Sequence, residues 1–432
     1  MLLKLVNLSL SILISILVSI LVPGPAFPQG LPTAKPEDVG MSTTRLERIR
    51  PVMQAYVDQG KLPGMITAVA RRGKVVHFDR LGMMDVEAGK KMRPDTIFRI
   101  YSMTKPITGV AMMILYEEGK YLLTDPVSNY LPEFENMKVY VGGSWENPRT
   151  EPARPMTIKH LLTHTSGLTY GDEEHVVPKL YKEAELWKSA ALGEFIEKLV
   201  KLPLAAQPGT GWHYGVSMDV LGRLVEVLSG KSFDQFLAKR IFQPLGMVDT
   251  AFYVLDEKLE RFAANYQATP EGGLKLIDRP QESEYRNSTF VPYGGQGLVS
   301  TAADYLRFAQ MLANGGELDG VRILGRKTVD FMMLDHLGPE LGPEPLGEAA
   351  GWYGMSPRGL GFGLTASVIR DVAQSSLVGS LGTFSWGGTA ETHFWVDREE
   401  ELIGLTFTQV MPSARYPIRA QMKILTYQAI ID

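Results

Sequence analysis

Apolar residues change their spacing several times along the chain, and each change marks an element. Leu46, Ile49, Met53, Tyr56 and Val57 recur at helical intervals, which predicts a helix over 44–59, with Thr44 and Glu47 forming a capping box at its start. The small and apolar run 64–70 reads as a strand, the polar 71–74 as a turn and 75–78 as the returning strand. A third strand is predicted over 96–100. Ile107, Val110, Ala111, Ile114 and Leu115 then give a helix its buried face, which ends near Glu118-Gly119.

From 124 to 292 the texture changes, and prolines and loops separate helical patches over 158–164, 192–200, 218–228 and 233–241. Beyond Gly294-Gly295-Gln296-Gly297 a helix is predicted over 302–314. Strand patterns return over 383–386, 393–396 and 402–407, with the polar 397–401 linking the last two as a hairpin, and a helix over 418–430 follows. Strands near both ends with helices between them imply one α/β domain assembled from 38–123 and 293–432. A mostly helical domain, 124–292, is inserted between its halves, and 27–37 is a Pro-rich linker.

The first 26 residues read as an export signal. Lys4 supplies the positive region, 5–22 are mostly Leu, Ile, Val and Ser, and Gly24-Pro25-Ala26 offers a small-x-small cleavage pattern. The alternative is an uncleaved anchor, because the run is near the lower length for a spanning helix. Either way the folded part is expected outside the cytoplasm, periplasmic or secreted, with no lasting membrane association once the signal is cut.

Composition narrows the chemistry. The net charge is −4 with 21% charged residues, so no basic stripe points to nucleic acid. The chain has no cysteine, which removes disulfides, thiol nucleophiles and thiolate metal sites. Hydrophobic residues at 45% suffice for a large core.

Ser102-Met103-Thr104-Lys105 carries the candidate chemistry. Residues three apart share a helix face, so a hydroxyl would sit beside an amine able to take its proton. If the site is buried, desolvation and the helix dipole both lower the lysine pKa and suit it to act as a base. The plain alternative is a capping serine followed by a solvated lysine. Two further segments bear on the choice. Tyr214 follows Gln207-Pro208-Gly209-Thr210-Gly211-Trp212-His213 and precedes a helix, a place from which a phenol can enter a cleft or serve as a core-edge aromatic. Ser385-Trp386-Gly387-Gly388-Thr389 ends a strand with paired glycines, which let a substrate approach backbone N–H groups, or simply make a tight turn. His160 and His164, four apart, lack the glutamate of a zinc-protease helix and are read as structural. No Gly-x-Ser-x-Gly elbow and no phosphate-binding glycine loop occur.

Together these parts resemble the serine β-lactamase and penicillin-binding superfamily, in its class C-like branch that includes the family VIII carboxylesterases. The resemblance spans nearly the whole mature chain. It includes Thr157-Ile158-Lys159-His160-Leu161-Leu162-Thr163-His164-Thr165-Ser166-Gly167-Leu168, Gly295-Gln296-Gly297-Leu298-Val299-Ser300-Thr301-Ala302-Ala303-Asp304-Tyr305 and the Trp386-Gly387-Gly388 strand. It implies an antiparallel sheet flanked by helices, with Ser102 as the acylated nucleophile. Lys105 and Tyr214 would share its proton network, either being the formal base, and the N–H groups of Ser102 and Thr389 would form the oxyanion hole. No metal or cofactor is implied, and the oligomeric state stays open.

Two departures from the β-lactamases bear on substrate. Val216 stands where those enzymes carry an asparagine that bonds the β-lactam side chain, and Trp386-Gly387-Gly388 replaces their Lys-Thr-Gly triplet. With Val216, Trp386, Gly387 and Gly388 as substrate contacts, neutral acyl esters of short chain length are expected to be favoured. The alternatives are a class C-like β-lactamase, a D-Ala peptidase, an acyltransferase, or a non-catalytic penicillin-recognising envelope protein.

Overall fold

Two hairpins from opposite ends of the chain meet in one sheet. The computed structural model describes residues 30–171 and 175–432, so the expected signal 1–26 lies outside the described residues. β1 (Gly64–Arg71), β2 (Lys74–Asp85) and the short β3 (Lys90–Lys91) come from the N-terminal part. β4 (Leu360–Phe362), β5 (Ser367–Ile369), β6 (Phe384–Gly387), β7 (His393–Asp397) and β8 (Leu402–Phe407) come from the C-terminal part. The order is β4-β5-β6-β7-β8-β1-β2-β3, and neighbouring strands are antiparallel. The seam between the halves is β1 on β8, with Ile66 opposite Phe407 and Arg71 opposite Leu402.

The sheet is covered on both faces, which explains why β1 lacks a polar–apolar alternation. All of its residues are buried: Ile66, Ala68 and Ala70 join one core, Met65 and Val69 the other. One face packs under α1 (Thr43–Leu46), α2 (Ile49–Asp58) and the C-terminal helix, through Ile49, Met53, Ile418 and Met422. The opposite face carries α3 (Thr104–Glu117), whose first twelve residues are buried, and a second helix over Ala302–Ala313. Beside α3 stands α6 (Ser217–Ser229), against which α4 (Ile158–Leu162) and α5 (Leu192–Leu199) pack. The helix over Ala302–Ala313 is α7, and the last, Ile418–Tyr427, is α8. This is the expected α/β arrangement of an antiparallel sheet flanked by helices.

Several elements differ from the sequence pattern. The helix over 44–59 is broken into α1 and α2, and its cap is Ser42, whose hydroxyl accepts from the Arg45 N–H at 3.4 Å. The strand at 75–78 continues to Asp85 because β1 pairs with it as far as Gly82. The strand at 96–100 shrinks to Phe98–Arg99, paired with Val299–Ser300. Residues 124–292 also hold two hairpins with no strong pattern, Lys138–Gly143 with Pro148–Pro152 and Asn265–Ala268 with Leu274–Asp278. The second pairs in parallel with Val410–Met411, tying this stretch to the strands near the C-terminus.

Candidate active site

Ser102 sits in a single tight turn, Tyr101–Met103, that feeds directly into α3. Three backbone contacts hold the turn. Ile100 N–H donates to the Leu298 carbonyl at 3.0 Å, Leu298 N–H donates to Thr104 Oγ1 at 3.2 Å, and the Tyr305 hydroxyl donates to the Met103 carbonyl at 2.9 Å. Tyr101 adopts φ +42°, a left-handed conformation that a bulky side chain rarely takes and that costs about 1–3 kcal/mol. Its phenol oxygen accepts from Asn265 Nδ2 at 2.9 Å, and its ring meets Tyr285 edge-on. The chain thus turns sharply at 101 and leaves Ser102 facing a cavity.

Lys105 is fully buried, and its Nζ meets three acceptors: Ser102 Oγ at 3.0 Å, the Tyr170 hydroxyl at 3.1 Å and the Gly295 carbonyl at 2.8 Å. Those satisfy the three donors of an ammonium. The solvated-lysine alternative is therefore wrong, because nothing of Lys105 reaches water. The phenol that bonds Lys105 is Tyr170, where the sequence had pointed to Tyr214. Tyr214 presents the face of its ring to Lys105 Nζ, 4.6 Å from the centroid, and its hydroxyl has no hydrogen bond within the described residues. The reason lies in packing. The Tyr214 ring is stacked on Trp212 at 5.8 Å and flanked by Trp352 and Trp386, which fixes its plane broadside to the lysine. Tyr170 was missed although it lies two residues past the 157–168 string; a lone tyrosine in a loop carries no periodic signal.

Asp219 was missed too. It is buried in the first turn of α6, and its Oδ1 accepts the Gly295 N–H at 2.8 Å. Gly295 therefore bridges the two charges, its N–H to Asp219 and its carbonyl to Lys105. A Cβ at 295 would stand 2.9 Å from Asp219 Oδ2, so only glycine permits this approach. Burial pushes the Asp219 carboxyl up to about 6, against the pull of the Lys105 charge. An acidic residue in a first helical turn is ordinary, which is why the sequence did not flag it.

The two histidines of the 157–168 string have structural surroundings. His160 completes a capping box on α4, its Nδ1 accepting the Thr157 N–H at 3.2 Å. His164 is buried with its ring 4.8 Å from that of Tyr214, and burial, aided by the Lys105 charge, holds its pKa well below 6.5. It is a neutral spacer behind Tyr214.

A cavity of about 370 Å³ opens onto Ser102, and Tyr170, Tyr214, Trp352, Trp386 and Thr389 stand in its wall. Gly387 and Gly388 also line it, but for a different reason from the one the sequence suggested. A Cβ on Gly387 would meet the Arg419 guanidinium at 2.8 Å, and one on Gly388 would meet the Ile100 carbonyl at 2.5 Å. The glycines let protein groups approach closely. Val216 does not line this cavity. It is buried at the start of α6 and borders a neighbouring cavity of about 260 Å³ that shares Tyr170 and Gln296 with the first. A larger apolar cavity of about 450 Å³, between 248–255 and 288–292, contains none of these groups.

This geometry can be set beside known proteins. The chain matches the β-lactamase family over residues 49–428. It belongs to that family. An uncharacterised protein of Mycobacterium tuberculosis is 37% identical over 82% of this chain and 88% of its own length. Esterase EstB of Burkholderia gladioli is 31% identical, covering 87% of this chain and 93% of its own. Among solved structures, EstCE1, a hydrolase with promiscuous acyltransferase activity, superposes with a TM-score of 0.74 at 26% identity, over 89% of this chain and 99% of that one. The family, the fold and these relatives identify the chain as a serine hydrolase with a β-lactamase-like fold.

Proposed function

We propose that this β-lactamase-family chain is an exported carboxylesterase that cleaves short-chain acyl esters through an acyl-enzyme on Ser102. The observation that carries the reading is the 3.0 Å contact between Lys105 Nζ and Ser102 Oγ at the floor of an aromatic-walled cavity. With the amine neutral, its lone pair lies along that line and takes the hydroxyl proton as Oγ attacks the ester carbonyl. The N–H groups of Ser102 and Thr389 receive the oxyanion. The C–O bond then breaks, and the proton held by Lys105 passes to the departing alcohol, with the Tyr170 hydroxyl 3.1 Å away as the next group in the chain. Water reverses the sequence, and the acid leaves.

Substrate class follows from the walls. The cavity volume suits a small acyl group, and Trp386 lines it, at the sequence position where the β-lactamases carry the lysine of their Lys-Thr-Gly triplet. That favours neutral esters over β-lactams and D-Ala peptides. An acyltransferase reading has one observation in its favour, the second cavity that adjoins the first through Tyr170 and Gln296 and offers room for an acceptor alcohol.

The test is turnover of p-nitrophenyl butyrate and nitrocefin by wild type and Ser102→Ala. The expected result is a much larger kcat/KM for the ester, abolished in Ser102→Ala. Undiminished ester hydrolysis in that variant sinks the nucleophile assignment, and faster nitrocefin turnover sinks the substrate class.

A further inference from the structure

We infer that Arg419 is a positioning residue that sets the orientation of the oxyanion donor, an assignment that rests on the reading of Thr389 N–H as that donor. Arg419 stands on α8, on the far face of the sheet from α3, yet its guanidinium reaches the turn after β6 and is almost wholly buried there. Its Nη2 donates to the Gly388 carbonyl at 3.1 Å, its Nε to Glu391 Oε1 at 2.7 Å and its Nη1 to the Trp352 carbonyl at 3.1 Å.

The Gly388 carbonyl and the Thr389 N–H belong to one planar trans peptide unit, so they point in opposite directions. Holding the carbonyl from behind aims the N–H forward into the cavity. The same carbonyl accepts the Glu391 N–H at 3.1 Å, which closes a turn over 388–391. That neutral turn bond alone holds the first peptide unit only modestly, and a stronger hold on its carbonyl fixes the unit's plane more firmly. A charged donor supplies that hold. The guanidinium in turn is kept in place by Glu391, which has φ +63° and also accepts the Ala414 N–H at 2.5 Å. Gly387 completes the arrangement, because any side chain there would displace the guanidinium. The third contact, to Trp352, ties the aromatic wall to the same cation. One buried ion pair therefore couples donor orientation to cavity shape.

Arg419→Lys and Arg419→Gln test this. Lysine keeps a cation opposite Glu391, so the variant folds, but a single ammonium cannot reach three acceptors held in a fork. Arg419→Lys should lose at least tenfold in kcat on p-nitrophenyl butyrate, and Arg419→Gln about 10²-fold, with KM within about twofold of wild type in both. Affinity for a butyl trifluoromethyl ketone, whose hemiketal oxyanion occupies the same hole, should fall by the same factor as kcat. A purely structural role would not move kcat and analogue affinity together while sparing KM. The inference is overturned if folded Arg419→Lys keeps kcat and analogue affinity within threefold of wild type, or if KM rises as much as kcat falls. Ester hydrolysis that survives in Ser102→Ala overturns the underlying reading instead, so the two failures are distinguishable.

Discussion

Lys105 and Lys423 are both buried to 1% exposure or less, and they have opposite surroundings. Lys105 lies on α3, with a hydroxyl, a phenol and a carbonyl around its nitrogen. Lys423 lies on α8, with no hydrogen-bond partner for its nitrogen among the described residues and the Trp395 ring 5.9 Å away. Burial pulls the Lys423 pKa down to about 7, with Asp397 pushing the other way. The first lysine sits in a site arranged to hold and pass a proton. The second is tolerated in a core because burial makes its proton easy to lose. Burying a lysine is thus not itself a mark of function; what distinguishes Lys105 is that polar groups from three separate segments converge on it.

The largest effect expected from breaking this contrast is at Lys105. Lys105→Met leaves the folded shape and removes the proton acceptor, so ester kcat/KM should fall by about 10³-fold or more while fluorophosphonate labelling of Ser102 slows in parallel. A loss below tenfold would mean that Lys105 is as incidental as Lys423.

A smaller effect separates the two phenols. Tyr170→Phe removes the hydroxyl that bonds Lys105, whereas Tyr214→Phe keeps the ring that faces it. The expected losses in kcat are about 10–100-fold for Tyr170→Phe and less for Tyr214→Phe, measured with the same ester. The reverse order would return the proton network to Tyr214.

The smallest effect sharpens the other side. Between pH 7 and 10.5 the unfolded Lys423 holds a proton that the folded one has lost, so this group's contribution to stability rises with pH across that window. Lys423→Met should raise the melting temperature by several degrees at pH 7, by less at pH 9, and leave ester turnover unchanged. A gain that grows with pH would contradict the assignment.

Much of the frame was legible in the chain. The periodic runs of α3 and α7 and the apolar runs of β1 and β8 have their expected type because each buries a continuous face. The hairpins within 124–292 were not legible, since a stretch such as 148–152 is Pro-Arg-Thr-Glu-Pro, largely exposed and without apolar alternation. Tyr170 and Gly295 meet Lys105 across separations of 65 and 190 residues, and Arg419 reaches Gly388 across 31, so no local window contains those contacts.

By itself the sequence determined the Ser102–Lys105 pairing, because residues three apart in a helical turn are neighbours wherever that turn is placed. It pointed to the two-ended sheet as well, through short apolar runs bounded by turn residues, which suit strands covered on both faces. Tertiary structure alone decided which phenol bonds Lys105, that Asp219 and Gly295 stand behind it, and that Val216 borders a different cavity. Those contacts hold only within about 3 Å, and their partners are brought to that distance by loops whose paths are set by packing against the rest of the fold.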